Sequence, residues 1–102
     1  MKIDEDLIKK KFEKLIKSNY LLFFQKGERR SNVQCKKIAL IDLRPINEVD
    51  GRTQFSVSGR GDFFESFGDF GKETSMNFEA AILVHGDDIL NEAEIRVNIS
   101  LT

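Results

Sequence analysis

The stretch Glu-Ala-Glu-Ile-Arg-Val-Asn-Ile-Ser-Leu-Thr at residues 92–102 alternates apolar and polar side chains along its length. The apolar side chains run from Ala93 to Leu101, and the polar ones run from Glu94 to Thr102. Because successive side chains of a β-strand point to opposite faces, the pattern predicts a strand with one buried and one solvated face. Such strands are typical of an antiparallel sheet that is covered on one side. At a sheet edge, its free backbone groups could also pair with a partner or a second copy.

A predicted helix at the start of the chain would cover the apolar face of this sheet. Apolar residues recur there at spacings of three to five, which places them on one helical face: Ile3, Leu7, Ile8, Phe12, Leu15 and Ile16. Asp4 suits the positive end of the helix dipole and Lys17 the negative end. We therefore predict a helix at about residues 4–18, with Ser18-Asn19 as its stop.

Four further segments have strand patterns, which gives a sheet of about five strands. They are Tyr20–Gln25, Val33–Leu43, Arg52–Ser58 and Met76–His85. The second is apolar on both faces at Ile38–Ile41, which predicts a central strand, and Pro45 is predicted to end it. The polar stretches 26–32 and 47–51 are predicted to be connections, the first a long basic hairpin loop between the first two strands. The expected fold is a single α+β domain over residues 1–102, with one N-terminal helix packed on one face of an antiparallel sheet.

Composition narrows the class of protein. A chain of 102 residues has the size of one domain. Its single cysteine, Cys35, excludes an intramolecular disulfide and a four-thiolate metal site. No stretch reaches the roughly 20 apolar residues of a membrane span, and the acidic start Met-Lys-Ile-Asp-Glu-Asp lacks the pattern of an export signal. We expect a cytoplasmic protein with no membrane association.

Charge is unevenly distributed although the net charge is only −1. Residues 1–37 carry eleven Lys/Arg against five Asp/Glu, whereas residues 38–102 carry five against twelve. The basic helix face and Lys26, Arg29 and Arg30 could contact phosphates, which keeps a nucleic-acid-associated protein as an alternative. The slightly acidic balance and the lack of paired aromatics on the predicted strands argue against it.

Candidate catalytic groups are few. His85 stands beside Asp87-Asp88, a set that could act as a general base or hold a cation, but no second histidine or further acid completes a site. Cys35 lies in a predicted strand, where a buried structural thiol is the common role. The sequence predicts no catalytic residue, no metal and no cofactor. An alternative is a small ligand-binding or enzymatic domain with a cone-shaped pocket lined by Phe55, Phe78 and His85.

Residues 62–75 form the most unusual segment, predicted to be a structured loop or a single helical turn because Gly68 and Gly71 weaken a longer helix. Four phenylalanines and four acids are interleaved there and make up the candidate partner-binding set: Asp62, Phe63, Phe64, Glu65, Phe67, Asp69, Phe70 and Glu73. In one interpretation Phe63, Phe67 and Phe70 plug the end of the core. In the other, exposed aromatics supply contact area and the carboxylates steer a basic partner.

In size, layout and charge the chain resembles the small immunity proteins of bacterial toxin–immunity systems, such as those of contact-dependent growth inhibition. The resemblance concerns the character of the whole chain and involves no motif, so it transfers no functional residue. It implies a non-enzymatic cytosolic protein that binds one toxin domain and occludes its active site. Many such toxins are nucleases with basic clefts, which the acidic surface expected from residues 42–94 would suit.

Overall fold

The computed structural model describes residues 3–18 and 21–101, which form one α-helix and a seven-stranded sheet. The elements are α1 (Glu5–Lys17), β1 (Leu22–Gln25), β2 (Glu28–Arg30), β3 (Val33–Val49), β4 (Arg52–Phe67), β5 (Phe70–His85), β6 (Asp88–Ile89) and β7 (Arg96–Ser100). The strand order is β2-β1-β7-β5-β4-β3, and β6 pairs with the end of β5. All pairs are antiparallel except β1 with β7. The predicted α+β class is confirmed, with seven strands instead of about five. The predictions for Asn19, Tyr20 and Thr102 lie outside the described residues.

Helix α1 confirms the predicted amphipathic segment. The carboxylate of Asp4 caps its start by accepting a hydrogen bond from the backbone N–H of Leu7 at 3.2 Å. Its apolar face buries Ile8, Phe12 and Ile16 against the sheet. The Phe12 ring stacks on the Phe78 ring of β5 with 6.1 Å between centroids. Helix and sheet therefore share one apolar core.

Tight turns replace the predicted loops. Asp50-Gly51 joins β3 to β4 with φ angles of 54° and 77°, so the predicted connection 47–51 shrinks to two residues. Lys26-Gly27 does the same between β1 and β2 with φ angles of 54° and 81°. The predicted hairpin of the first two sequence strands is therefore wrong, because β1 pairs with β2 and β7. Two-residue turns with positive φ match the right-handed twist of the flanking strands, which favours this hairpin geometry.

Strand β3 was predicted to be central and to end at Pro45, and both predictions are wrong. It is an edge strand that runs to Val49, with Pro45 opposite Phe55. An edge strand tolerates proline because a residue there need not donate to a second neighbour. Register shifts at Cys35/Lys37, Ile38/Leu40 and Pro45/Asn47 mark three irregularities along it. Such bulges bend a strand, and here they accompany a sheet that curves around α1.

Strand β4 continues through Gly59 and Gly61, beyond Ser58, where the predicted strand ends. Both glycines take core-facing positions in the alternation that includes the buried Val57 and Phe63. A Cβ on Gly59 would lie 2.1 Å from the Leu40 carbonyl oxygen and 2.5 Å from Phe78 Cζ. The neighbouring strands thus fill the space that a side chain would need.

The last strand is shorter than predicted and does not lie at an edge. Glu92–Glu94 form a 3₁₀ turn, and β7 covers Arg96–Ser100 between β1 and β5. The predicted alternation is confirmed from Ile95 to Ser100, since Ile95, Val97 and Ile99 are buried and the residues between them are exposed. It is wrong for Ala93 and Leu101, which were predicted on the buried face and are exposed. Its backbone is paired on both sides, so the hypothesis of a free edge at this strand is wrong.

The sheet curls until its two outer strands approach each other at one end. Only Ser31 and Asn32 separate β2 from β3, although these strands are the first and last in the sheet order. The side-chain amide of Asn32 donates to the Ser66 carbonyl at 2.7 Å, which fixes this connection to β4. Inside the curl, the Phe23 ring meets the edge of the Phe63 ring at 5.9 Å. A cleft is left between the two outer strands.

Candidate functional site

The β4–β5 hairpin carries all eight residues of the candidate partner-binding set. The segment predicted to be irregular is regular: β4 and β5 pair from Thr53–Val84 to Phe67–Phe70, and Gly68-Asp69 forms a two-residue turn. A glycine at φ 62° permits this turn. The prediction of a loop is wrong because the two glycines that weaken a helix are compatible with a hairpin.

The four phenylalanines occupy three different environments. Phe63 is fully buried and lies edge-on to both Phe23 and Phe78. Phe67 and Phe70 lie at the hairpin tip with 44% and 72% of their surface exposed, and their rings are 5.8 Å apart. The interpretation that three of these rings plug the core therefore holds for Phe63 alone.

Phe64 belongs to the opposite face of the sheet from Phe63 and is half-buried. Its ring covers Gly71 so closely that a Cβ on that glycine would lie 2.0 Å from Phe64 Cζ. The Lys36 ammonium lies 5.7 Å from the ring centroid, within the range of a cation–π contact. Phe64 thus stiffens the hairpin below its tip.

The acidic members of the set are spread along the end of the hairpin, and only Asp69 lies in the turn. Asp69 in the turn and Glu73 on β5 are exposed, whereas Asp62 and Glu65 are half-buried. Among the described residues, none of the four has an ion-pair partner within 4.0 Å. Lys72 is the one basic residue between positions 62 and 73, so this segment has a net charge of −3. Unpaired carboxylates of this kind attract a basic surface.

The hairpin tip extends past the body of the sheet. Strand β7 pairs with β5 only as far as Ser100 opposite Asn77. On that side, Phe70–Met76 have no neighbouring strand among the described residues. Because the described chain measures 49 × 23 × 22 Å, the long β4–β5 hairpin lies along its major dimension. On the other side, β3 pairs with β4 as far as Val33 opposite Glu65. The two exposed rings therefore lie just beyond the end of β3, at the tip of the hairpin.

The candidate catalytic groups are not brought together. His85 is exposed at the end of β5, whereas Phe55 and Phe78 are buried in the core, so these three residues do not line one cavity. Asp88 lies 3.5 Å from Lys11 Nζ, which also donates to the Asp87 carbonyl. In residues 3–18 and 21–101, no three His, Cys, Asp or Glu side chains are grouped to hold a metal ion.

Cys35 is buried on the core side of β3. Its thiol donates to the Lys37 carbonyl at 3.8 Å. Burial raises the pKa of the Cys35 thiol to about 11, because the thiolate would lose its hydration. A thiol with this pKa is a poor nucleophile at neutral pH.

The one α-helix that the structure describes is too short and too polar to cross a membrane. Comparisons of this chain with protein-family models, curated proteins and solved structures give no significant match.

Proposed function

We propose that this chain is a non-enzymatic inhibitory binding protein that inserts the tip of its β4–β5 hairpin into a basic cleft of a partner protein. The observation that carries the proposal is the exposure of Phe67 and Phe70, side by side, at the end of a regular hairpin. Isolated exposed apolar residues are common on proteins, but two adjacent aromatic rings at a hairpin tip resemble the anchors that dominate binding energy.

The aromatic pair supplies the affinity. Its exposed surface is on the order of 200 Å², which corresponds to about 5 kcal/mol of transfer free energy before the costs of association. A two-stranded hairpin with a two-residue turn holds the rings in place before binding. Less conformational entropy is then lost in the complex than with a flexible loop.

The carboxylates make the hairpin selective for a partner with a basic surface. Asp69 lies in the turn between the rings, and Glu65 is on the same face of the hairpin as Phe67, so both would face basic residues around the cleft. Complementary charge mainly accelerates association and rejects acidic surfaces. A partner that binds a polyanion, such as a nuclease, presents the required basic cleft. The resemblance to immunity proteins favours a toxin domain as this partner, and steric occlusion of its active site is the proposed mechanism.

The test compares three forms of the chain as bait in extracts of the native host: wild type, the F67A/F70A double variant, and L40A. Leu40 is an exposed apolar residue on β3, so its variant controls for general loss of apolar surface. A partner retained by wild type and L40A is identified, and its Kd and activity are measured with each form. We expect F67A/F70A to bind at least about 100-fold more weakly and to lose inhibition, because both anchors are removed.

Equal binding by the double variant and wild type would refute the role of the tip. A partner bound without loss of its activity would refute inhibition. The electrostatic part is tested separately, since the association rate should fall as salt is raised and steering charges are screened. An association rate that does not change with salt would contradict it. A gene directly downstream of that for a large toxin exoprotein would support the toxin assignment.

A further inference from the structure

A second candidate site lies in the cleft between β2 and β3, where the curled sheet nearly closes. The cleft has a volume of about 330 Å³. Ser31 and Asn32, which connect these two strands, form part of its wall. Most of its lining residues lie between positions 21 and 36, and Phe64 and Ser66 of β4 complete the wall.

The polar lining of the cleft is basic. Among the described residues that line the cleft, three are cationic, namely Arg29, Arg30 and Lys36, and none is acidic. Most of the lining residues belong to the basic first third of the chain, residues 1–37. Ser31, Asn32 and Gln34 add hydroxyl and amide groups to the same wall. The combination of cations with neutral donors is the chemistry that recognises an oxyanion.

Arg30 has a hydrogen-bond donor that the described part of the chain does not use. Its Nε atom is buried and has no partner within residues 3–18 and 21–101. Arg30 stands opposite Phe23 in the β1–β2 pair, which places it beside the core. Buried polar groups of folded proteins almost always have a partner, and a charged group loses most when it has none. A ligand bound in this cleft could accept a hydrogen bond from Arg30 Nε and so provide the missing partner.

We propose that this cleft binds the phosphate monoester group of a small phosphorylated molecule. Three cations can neutralise a dianionic phosphate, whereas a carboxylate, with a single negative charge, needs fewer cations. The volume falls within the range of small-ligand pockets, which start at about 300 Å³. The β2–β3 connection forms part of the cleft wall and restricts passage of a continuous polymer, which favours a small ligand over a nucleic acid strand. The proposal does not depend on the proposed inhibitory function, because the cleft residues are not the tip residues.

The experiment titrates the ¹⁵N-labelled full chain at constant ionic strength with inorganic phosphate, adenosine monophosphate, adenosine and a single-stranded ten-nucleotide DNA. We expect saturable shifts of the Arg30 Nε–H signal and of the Ser31 and Asn32 amides with the two phosphate probes. Adenosine should leave these signals in place. The monophosphate should bind more tightly than the DNA.

Variants then assign the site. Lys36→Met and Arg30→Met should each weaken adenosine monophosphate binding at least tenfold. Lys37→Met is the matched control, since Lys37 is an exposed neighbour that does not line the cleft, and it should change binding less than twofold. If Arg30→Met fails to fold, the site is assigned from the loss of binding in Lys36→Met and from the shift of the Arg30 Nε–H signal in the wild-type chain.

Three outcomes overturn the proposal. The first is the absence of saturable binding of both phosphate probes up to 10 mM. The second is equal binding by the Lys36→Met and Lys37→Met variants. The third is tighter binding of the DNA than of the monophosphate, which would assign the cleft to nucleic acid instead.

Discussion

Replacing Gly59 by alanine tests the register of the long strands. The new Cβ would lie 2.1 Å from the Leu40 carbonyl oxygen of β3 and 2.5 Å from the Phe78 ring of β5. Ordinary contacts of a Cβ begin near 3.4 Å, so one neighbour must move by more than 1 Å. The ring has limited freedom because Phe12 stacks on it, and the carbonyl belongs to a strand paired with β4. Both neighbours therefore resist the change.

Overpacking of a core typically costs about 1–3 kcal/mol, and two simultaneous contacts place Gly59→Ala near the top of that range. A loss of about 3 kcal/mol corresponds to a melting temperature lower by about 12–24 °C in a domain of this size. Urea unfolding followed by circular dichroism measures the loss. Ser58→Ala, on the other face of the same strand, is the control and should change stability by less than about 0.5 kcal/mol. A Gly59→Ala variant within about 1 kcal/mol of wild type would refute the strand packing described above.

Two further substitutions and one labelling reaction test the described burial. Phe63→Ala should cost about 3–5 kcal/mol in the same unfolding assay because Phe63 is fully buried, whereas Phe70→Ala at the exposed tip should cost less than about 0.5 kcal/mol. Equal losses in the two variants would contradict the division between core and tip. At pH 8, the Cys35 thiol should react with a disulfide reagent at least about 100-fold more slowly than an ordinary thiol, because a pKa of about 11 in place of 9.0 lowers the thiolate fraction by that factor. A rate equal to that of free cysteine, measured on chain that remains folded, would contradict this burial.

Local periodicity was enough to predict the helix and the buried faces of several strands. The apolar face of α1 and the alternation around Phe78 are properties of short segments, so they are readable in the sequence. Gly59 and Gly61 interrupt the alternation of apolar and polar residues in the sequence. The backbone of β4 nevertheless continues as a regular strand through both glycines. Their role depends on Phe78 and on the β3 backbone, which are brought close only by the folded sheet.

The division within the candidate site was not predictable for a similar reason. Phe63 and Phe67 share one face of β4, and their chemistry is identical. Phe63 is buried because the Phe23 ring of β1 packs against it inside the curled sheet. Phe67 lies nearer the hairpin tip, and among the described residues β7 does not extend along β5 that far, so no strand covers this ring. The basic cleft was also missed, although Arg29 and Arg30 were recognised as possible phosphate contacts. Lys36 joins them only because β2 and β3 meet.

The position of β7 has a consequence for synthesis on the ribosome. Strand β1 is hydrogen-bonded to the rest of the sheet only through β7, so residues 22–30 cannot join it until residues 96–98 have been translated. Until β7 is available, the sheet lacks β1, β2 and β7, and Phe63 lacks its contact with Phe23. A nascent chain at this stage is a substrate for chaperones that bind apolar strands.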